Sequence, residues 1–363
     1  MSIEFQKALV YLFVISFHVS SSNIFGSATS VEKTMKTIGS AQRKIVRFPI
    51  QSNDDSSVPS IKRIKKATDR ISDIKCKEYS EMTREVVWIK KIELMPMRLR
   101  CKKPIQLFVV GGSVAEPKEY PHIVALGRTV DASTTEYFCG GSLISDQWIL
   151  TAAHCTTEAR GLPNVALIGS ANLNKINELN TGKLMSIESI KPHPDYNSSQ
   201  LYADIALIKL SKPVEFSKTV KPACLYPIPD LEPKYLWASG YGSTSSVRLR
   251  EGMTGLNLTK ARLQLTDMKH CKQVYRSVKQ LPHGIDSESQ LCAGDKKGGW
   301  KRDTCAGDSG VPLQWTHPSG CLQEIVAITS FGISCAVPKM PAVYTKVSHY
   351  IDWIESVVWP NEN

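Results

Sequence analysis

The chain of 363 residues lacks the sequence features of several large protein classes. No apolar run is long enough to span a bilayer, apart from one short stretch near the start. There is no glycine-rich phosphate loop, no Cys and His spacing typical of zinc sites, and no internal repeat. These absences argue against a multispan membrane protein, a P-loop nucleotide enzyme and a repeat array.

Net positive charge is also nearly absent from most of the chain, although the formal net charge of the whole is +11. Residues 23–108 contain 19 Lys and Arg against 9 Asp and Glu, whereas residues 109–363 contain 25 against 24. Almost all of the excess therefore belongs to an N-terminal segment. The nearly neutral C-terminal part is not expected to bind nucleic acid, because nucleic-acid enzymes present a basic face.

The short apolar stretch near the start covers residues 8–21, follows Lys7 and precedes small residues. This pattern predicts a secretory signal peptide over residues 1–22, with cleavage between Ser20 and Ala28. A membrane anchor is the alternative, but the run is too short and nothing apolar follows it. The ten cysteines, an even number, also favour a secreted, extracellular protein with disulfides and no membrane partner.

Residues 23–108 form the basic segment, which we interpret as a pro-segment or light chain. Residues 29–75 lack an apolar period and predict a loosely ordered linker. The basic run at 61–66 either binds a polyanion or is simply solvated, and the second interpretation is favoured. Residues 71–88 have a more helical pattern. Only two cysteines precede residue 109, so a six-cysteine module cannot fit there.

The sequence changes character after Phe108. Short apolar segments, such as those at 138–144, 206–210 and 325–328, are now separated by Gly, Pro, Asn and Asp. This spacing predicts an all-β sandwich or barrel. Apolar residues at intervals of three or four predict two helices, at 267–278 and 347–358.

Three polar residues have unusual surroundings. His154 lies in Thr-Ala-Ala-His-Cys, Asp204 opens Asp-Ile-Ala-Leu, and Ser309 lies in Gly-Asp-Ser-Gly. Each motif alone is weak evidence for a catalytic site, because a His or Asp beside a strand and a Ser in a glycine-rich turn are commonly structural. Their order along the chain, His then Asp then Ser, is far more specific.

The sequence from 109 to 359 resembles the chymotrypsin-like serine proteases, the trypsin family. The motifs are VVGG at 109–112, TAAHC at 151–155, DIALIKL at 204–210, GDSG at 307–310, SFG at 330–332 and PAVYT at 341–345. More narrowly, KCKEY at 75–79, PHIVALG at 121–127 and a cysteine-bearing loop at 318–323 resemble the insect proteases related to Snake, here without a clip module. The resemblance implies a protease domain over 109–363. Its fold would be all-β, with two six-stranded antiparallel barrels that meet near residue 225 and a C-terminal helix.

The resemblance also assigns catalytic roles. Ser309 would attack the peptide carbonyl, His154 would act as general base, and Asp204 would hold the imidazole. The backbone N–H groups of Gly307 and Ser309 would form the oxyanion hole. We expect neither a cofactor nor a metal, since the loop after Gly169 also lacks acidic ligands for calcium.

Substrate choice and activation follow from the same resemblance. Asp303, six residues before Ser309, would lie at the base of the primary pocket and select Arg or Lys. Ser330 and Gly332 would pair with the substrate backbone. Cleavage between Phe108 and Val109 would free an α-amino group that pairs with Asp308 and orders the site. The predicted partners are protein substrates, an upstream activating protease and a serpin-type inhibitor.

Three residues depart from the family pattern. Phe108 stands where most relatives have Arg or Lys, so we predict activation by an enzyme that accepts a large apolar residue. Val311 replaces a glycine behind the nucleophile and is expected to crowd that turn. Ala342 replaces a glycine in the pocket wall, where a methyl is expected to hinder a long Arg side chain.

The resemblance implies four disulfides: Cys139–Cys155, Cys271–Cys292, Cys305–Cys335 and Cys101–Cys224. Cys76 and Cys321 remain and are predicted to pair, with a free Cys321 as the alternative. Asn197 and Asn257 begin glycosylation sequons.

The leading hypothesis is a secreted trypsin-like zymogen of an extracellular cascade, for example in innate immunity. A catalytically weak homologue acting as a binding cofactor is the alternative, supported by Val311 and Ala342. A third interpretation makes the basic segment the main module, docking to polyanionic surfaces in a salt-dependent manner.

Overall fold

A computed structural model describes residues 70–82, 113–131, 134–157, 161–174, 182–231, 233, 235–242, 256–296, 299–300, 308–316, 322–332 and 337–360. All of them belong to one unit, Ile64–Asn363. Several predictions lie outside the described residues: the signal peptide, most of the pro-segment, Phe108, Val109, Asp303, Gly307 and the cysteines Cys101, Cys305, Cys321 and Cys335. None of the described helices is both long and apolar enough to cross a bilayer.

Fourteen strands are described. In chain order they are β1 (Ser113–Val114), β2 (Ile123–Thr129), β3 (Thr135–Leu143), β4 (Trp148–Thr151), β5 (Val165–Ile168), β6 (Lys183–Pro192), β7 (Ala206–Leu210), β8 (Cys224–Leu225), β9 (Leu236–Gly240), β10 (Thr259–Leu265), β11 (Gln290–Gly294), β12 (Pro312–Thr316), β13 (Gln323–Phe331) and β14 (Ala342–Lys346).

The strands form two closed antiparallel barrels of six strands each, which confirms the expected fold. The first barrel has the order β2-β3-β4-β7-β6-β5. The second has the order β10-β11-β14-β13-β12-β9 and closes through pairing of β9 with β10. Strand β1 extends this sheet beside β10, and β8, which lies between the barrels in sequence, pairs in parallel with β13.

Strand β2 shows why the apolar segments of this chain are continuous rather than alternating. Val124 and Leu126 pack in the cluster that contains the core of the first barrel. Ile123 and Ala125 point to the other side, into a cluster with Tyr241 and other residues of the second barrel. Because both faces of the strand are buried, both need apolar side chains.

Three α-helices are described: α1 (Ile71–Met82), α2 (Met268–Val274) and α3 (Ile351–Val358). Helix α2 begins where the Asp267 carboxylate accepts a hydrogen bond from the backbone N–H of Lys269. It is shorter than predicted, because Tyr275 is not helical and its N–H closes the last turn. Helix α3 is the predicted C-terminal helix, and it buries Ile351, Ile354 and Val358 on one face.

Helix α1 belongs to the predicted pro-segment, yet it packs on the protease domain. Ile71 and Tyr79 are each 8% exposed and join the cluster that contains the core of the first barrel. The Tyr79 ring meets Phe216 edge to face, with centroids 5.5 Å apart. The hydroxyl of Ser72 donates to Glu355 on α3 at 2.6 Å.

The position of α1 corrects two disulfide predictions. Cys224 pairs with Cys76, at a Cα–Cα distance of 5.2 Å, and not with Cys101. Cys76 therefore does not pair with Cys321. The physical reason is that the docked helix places Cys76 beside strand β8, where Cys224 lies. Spacing along the sequence does not show which pro-segment cysteine lies on a docked helix.

Candidate active site

The site begins at a short 3-10 turn, Ala153–Thr156, which follows strand β4 and carries His154. The next residue, Cys155, forms a disulfide with Cys139 on strand β3, as the resemblance implied. Two neighbouring strands of the first barrel therefore fix the backbone on which the histidine stands. The predicted disulfide Cys271–Cys292 is also present, and it joins α2 to β11.

Asp204 lies just before strand β7 and is only 3% exposed. One of its carboxylate oxygens accepts from the backbone N–H of His154 at 2.9 Å, and the other lies 2.8 Å from Nδ1 of the His154 ring. A carboxylate can only accept, so Nδ1 carries the proton and Nε2 has a free lone pair. The contact thus sets the tautomer that a general base requires.

The second barrel completes the environment of Asp204. The hydroxyl of Ser330 on β13 donates to the carboxylate at 2.5 Å, and that of Thr345 on β14 donates to the Asp204 carbonyl at 3.0 Å. Burial alone raises the pKa of Asp204, but attraction to His154 and hydrogen bonds from His154 and Ser330 bring that pKa below its ordinary value. Asp204 is therefore a carboxylate at neutral pH.

Ser309 is half-buried and lies between β11 and β12, on the second barrel. Its carbonyl accepts from the backbone N–H of Gly140 on β3 at 2.7 Å, so the nucleophile loop is tied to the first barrel. Gly310 follows with φ +80°. A Cβ there would collide with the Gly140 carbonyl and the Thr151 hydroxyl, so only glycine fits.

The arrangement thus combines an oriented imidazole with a serine on a fixed loop. The family model for trypsin matches residues 109–354 of this chain. The chain belongs to the trypsin family of serine endopeptidases.

Individual members of the trypsin family show the same similarity. Serine protease snk of Drosophila melanogaster is 38% identical over 295 residues, which are 80% of this chain and 65% of that protein. Phenoloxidase-activating factor 3 of Holotrichia diomphalia is 34% identical, covering 73% of this chain and 76% of that protein. The clotting factor G beta subunit of Tachypleus tridentatus is 30% identical, covering 71% of this chain and 82% of that protein. This chain thus spans just under two thirds of the first relative's length.

Asp308, the predicted activation partner in this trypsin-family chain, is 8% exposed. One carboxylate oxygen accepts from the backbone N–H of Gly242 at 2.8 Å. A Cβ on either Gly240 or Gly242 would collide with the carboxylate. Gly240, which ends strand β9, and Gly242 just after it therefore make the space that Asp308 occupies, a role that the sequence analysis did not assign to them.

Val311 does not crowd the turn, contrary to the expectation. Its side chain is fully buried and occupies the space that a Cβ on Gly140 would need. A Cβ on Gly240 would also lie only 3.0 Å from it. Two glycines, one from each barrel, thus make room for the larger residue, and the backbone bond from Gly140 to Ser309 is kept.

Ala342 is 3% exposed on strand β14. Its methyl lies 3.8 Å from the position that a Cβ on Gly332 would take, so the two residues predicted to line the pocket are neighbours. Ser330, predicted to bind the substrate backbone, is also in contact with Asp204. Thr345 ends the PAVYT motif at 341–345, which is the one sequence signal for its contact with Asp204.

One trio of possible metal ligands occurs among the described residues: Cys139, His154 and Cys155. The two sulfurs are joined in a disulfide, so they cannot ligate a metal as thiolates. This cluster is therefore part of the scaffold around the histidine.

Proposed function

We propose that the chain is a secreted zymogen which, once cut between Phe108 and Val109, hydrolyses peptide bonds after Arg or Lys. The observation that carries the proposal is the contact of buried Asp204 with Nδ1 of His154 at 2.8 Å. The backbone bond from Gly140 also ties the Ser309 loop to the barrel that carries His154. The ring is held in the tautomer that leaves Nε2 basic. An alcohol needs such a base to become a nucleophile near neutral pH.

In the proposed reaction, His154 Nε2 takes the proton from Ser309 Oγ as Oγ bonds to the substrate carbonyl carbon. The imidazolium then protonates the departing amine, and water repeats the sequence on the acyl-enzyme. Backbone N–H groups of Gly307 and Ser309 would stabilise the oxyanion, and each such donor contributes about 3 kcal/mol. Asp204 keeps its charge and stabilises the imidazolium.

Activation would work through Asp308. Cleavage converts the amide nitrogen of Val109 into a charged amine, which would pair with this buried carboxylate and order the oxyanion loop. The space beside Gly240 and Gly242 supports this role, because it already places the carboxylate next to the turn at 240–242. Phe108 at the cut requires an activating protease that accepts a large apolar residue, and not an enzyme of this chain's own preference.

The primary pocket would combine Asp303 at its base with Ser330, Gly332 and Ala342 in its walls. The Ala342 methyl, which faces the side of Gly332 where a Cβ would stand, would take up part of the space for a long side chain. We therefore propose Arg and Lys as substrates, with the Ala342→Gly variant accepting Arg more readily.

The biological setting is proposed from the relatives, whose names include a phenoloxidase-activating factor and a clotting factor subunit. We propose an extracellular cascade with protein substrates, an upstream protease and a serpin-type inhibitor, without nucleic-acid or membrane partners. We also propose N-glycosylation at Asn197 and Asn257, two exposed asparagines. At the first site the Ser199 hydroxyl donates to the Asn197 side chain at 2.8 Å.

The test is activity after a controlled cut of the bond between Phe108 and Val109. The precursor is produced with an engineered cleavage site ahead of Val109, cut, and assayed on peptides ending in Arg, Lys, Phe or Leu. A serine-directed covalent probe runs alongside, with Ser309→Ala as the control. We expect cleavage after Arg or Lys and labelling, both absent in the control.

Two other outcomes would change the proposal. Labelling at Ser309 with a different peptide preference would mean that Ala342 has reshaped the pocket. No labelling in a folded, correctly cut chain would favour the non-catalytic binding cofactor. N-terminal sequencing of naturally activated protein checks the cut, and any start other than Val109 contradicts the activation scheme.

A further inference from the structure

Helix α2 and the turn after it carry an exposed row of cations. Lys269, Lys272, Arg276 and Lys279 recur at intervals of three or four residues, and all four are exposed. Cys271 and Tyr275, which lie between them, and Leu281, which follows them, are buried in an apolar cluster. The segment is thus anchored by one face and presents its positive charges on the other. We call Lys269, Lys272, Arg276 and Lys279 the basic stripe.

The stripe has almost no counter-charge. Asp267 is the only acid in residues 267–284, and its carboxylate caps α2 through the backbone N–H of Lys269 at 3.2 Å. None of the four cations forms an ion pair with any residue that the structure describes. Residues 109–363 contain 25 Lys and Arg against 24 Asp and Glu, so the stripe is a local concentration of positive charge on a domain that is nearly neutral as a whole.

A fifth cation lies beside the stripe. The Nε2 atom of His270 is 2.9 Å from the carbonyl of Lys339, so the turn at 337–340 packs against α2. Lys339 is exposed and, within the described residues, is also without an ion pair. A second hydrogen bond joins the two segments on their buried side, where the Tyr275 hydroxyl donates to the carbonyl of Pro341 at 2.7 Å. Two hydrogen bonds therefore hold the backbone that carries these cations against the turn at 337–340.

The surface also lacks what a protein partner normally needs. Protein interfaces depend on apolar or aromatic anchors at their centre. None of the exposed large apolar side chains in the described residues lies within 267–284 or 337–340. Recognition here can use charge alone, and several unpaired cations along one segment match a chain of repeated anionic groups.

We propose that the basic stripe is a binding site for a linear sulfated polysaccharide. Such a ligand would hold the protease on a polyanionic surface, where it would meet other proteins bound to the same chain. The binding does not require catalysis, so it can be tested whatever the outcome of the activity assay.

The experiment measures binding of the full chain to immobilised heparin between 50 and 200 mM salt. The stripe variant is Lys272→Gln with Arg276→Gln and Lys279→Gln. The matched control loses the same charge at exposed positions elsewhere, as Lys183→Gln with Lys212→Gln and Lys296→Gln. Because the basic run at 61–66 is a second candidate, each set is also made in a chain with Lys62→Gln, Arg63→Gln and Lys65→Gln.

We expect the stripe variant to lose at least tenfold in affinity in both backgrounds, and the control to change about twofold or less. The slope of log affinity against log salt should fall by about one for each stripe cation removed. The stripe variant should unfold thermally at the same temperature as the parent, which shows that its fold is intact.

Three results would overturn the proposal. The first is equal binding by the stripe variant and its parent. The second is an equal loss in the matched control, which would mean that net charge alone matters. The third is binding of polyglutamate as tight as that of heparin at equal charge concentration, which would assign the surface to an acidic polypeptide.

Discussion

Asp204 and Glu355 are both buried carboxylates, and they lie in functionally different regions of this protein. Asp204 in the active site is 3% exposed, and Glu355 beneath helix α1 is 6% exposed. A buried charge is costly unless partners compensate it, and both carboxylates have three or more hydrogen bonds. The same physical requirement is met at both places.

The partners differ in where they come from. Asp204 is held by His154 and Ser330, which belong to the two barrels. Glu355 is held by Arg70 and Ser72, which precede the proposed cleavage site. The first carboxylate therefore orients the proposed general base, whereas the second ties a piece of the proposed pro-segment to the folded domain. Loss of the first should affect chemistry, and loss of the second should affect stability.

The largest expected effect tests the active-site half of this comparison. Asp204→Asn should lower kcat by on the order of 10⁴-fold, because an amide can donate to Nδ1 and so leave the proton on Nε2. The measurement is the steady-state hydrolysis of an Arg or Lys peptide by the cut enzyme, with thermal unfolding as a check of the fold.

The matched control for that change is Glu355→Gln. It removes the buried Glu355 charge at nearly constant volume and should leave kcat within about twofold while lowering the unfolding temperature. If kcat fell as far in this variant as in Asp204→Asn, the two regions would be coupled. Glu355 would then act on chemistry as well as on stability.

The sequence predicted the contact between Asp204 and His154, but it did not predict the contacts of Glu355, and the reason is physical. Short motifs around His154, Asp204 and Ser309 are tied to one geometry, so a family resemblance is enough to assign their contacts. In the sequence, Glu355 is one polar residue of a predicted helix, and Arg70 is one of many basic residues in the segment 23–108. Their pairing depends on the docking of α1, a long-range event that no local pattern encodes. The same docking decides that Cys224 meets Cys76.

The disulfide gives the second test, because it fixes α1 covalently. Cys76→Ser combined with Cys224→Ser should lower the unfolding free energy by about 4 kcal/mol, since the bond closes a loop of 148 residues in the unfolded chain. Urea unfolding of the precursor measures the change. Peptide mapping without reduction provides the control, and a peptide that joins Cys224 to Cys101 would contradict the pairing.

His122 gives a third test, from a buried group that belongs to neither region. It is 1% exposed between the barrels, and its Nε2 lies 2.5 Å from the Gln314 side chain of β12. Burial lowers the pKa of His122 to about 4, against a smaller opposing effect of the Gln314 hydrogen bond.

The sign of the pH effect follows from this depressed pKa. Between pH 6.5 and 4 the unfolded chain binds a proton that the folded chain does not, so stability should fall by about 3 kcal/mol as pH falls through this window. Urea unfolding at pH 7, 5.5 and 4.5 measures it. His122→Asn should flatten the profile, whereas His283→Asn, at an exposed histidine, should not; equal profiles for both variants would refute the assignment.

The smallest expected effect concerns the ion pair itself. Arg70 approaches Glu355 with two nitrogens, Nη2 at 3.0 Å and Nε at 3.2 Å, and also pairs with the exposed Asp352. The Arg70 side chain is 33% exposed, so solvent screens part of the interaction. Arg70→Met should therefore cost about 2 kcal/mol of unfolding free energy, mainly because it leaves the Glu355 carboxylate buried with fewer partners.

A double-mutant cycle with Glu355→Gln separates that cost from lost packing. If the pair is the reason, Arg70→Met should be nearly neutral in the Glu355→Gln background, because no buried charge remains to be compensated. A full loss in that background would mean that the aliphatic part of Arg70 holds α1 in place. In that case Glu355 would depend on Ser72, which donates to it from both its hydroxyl and its backbone N–H.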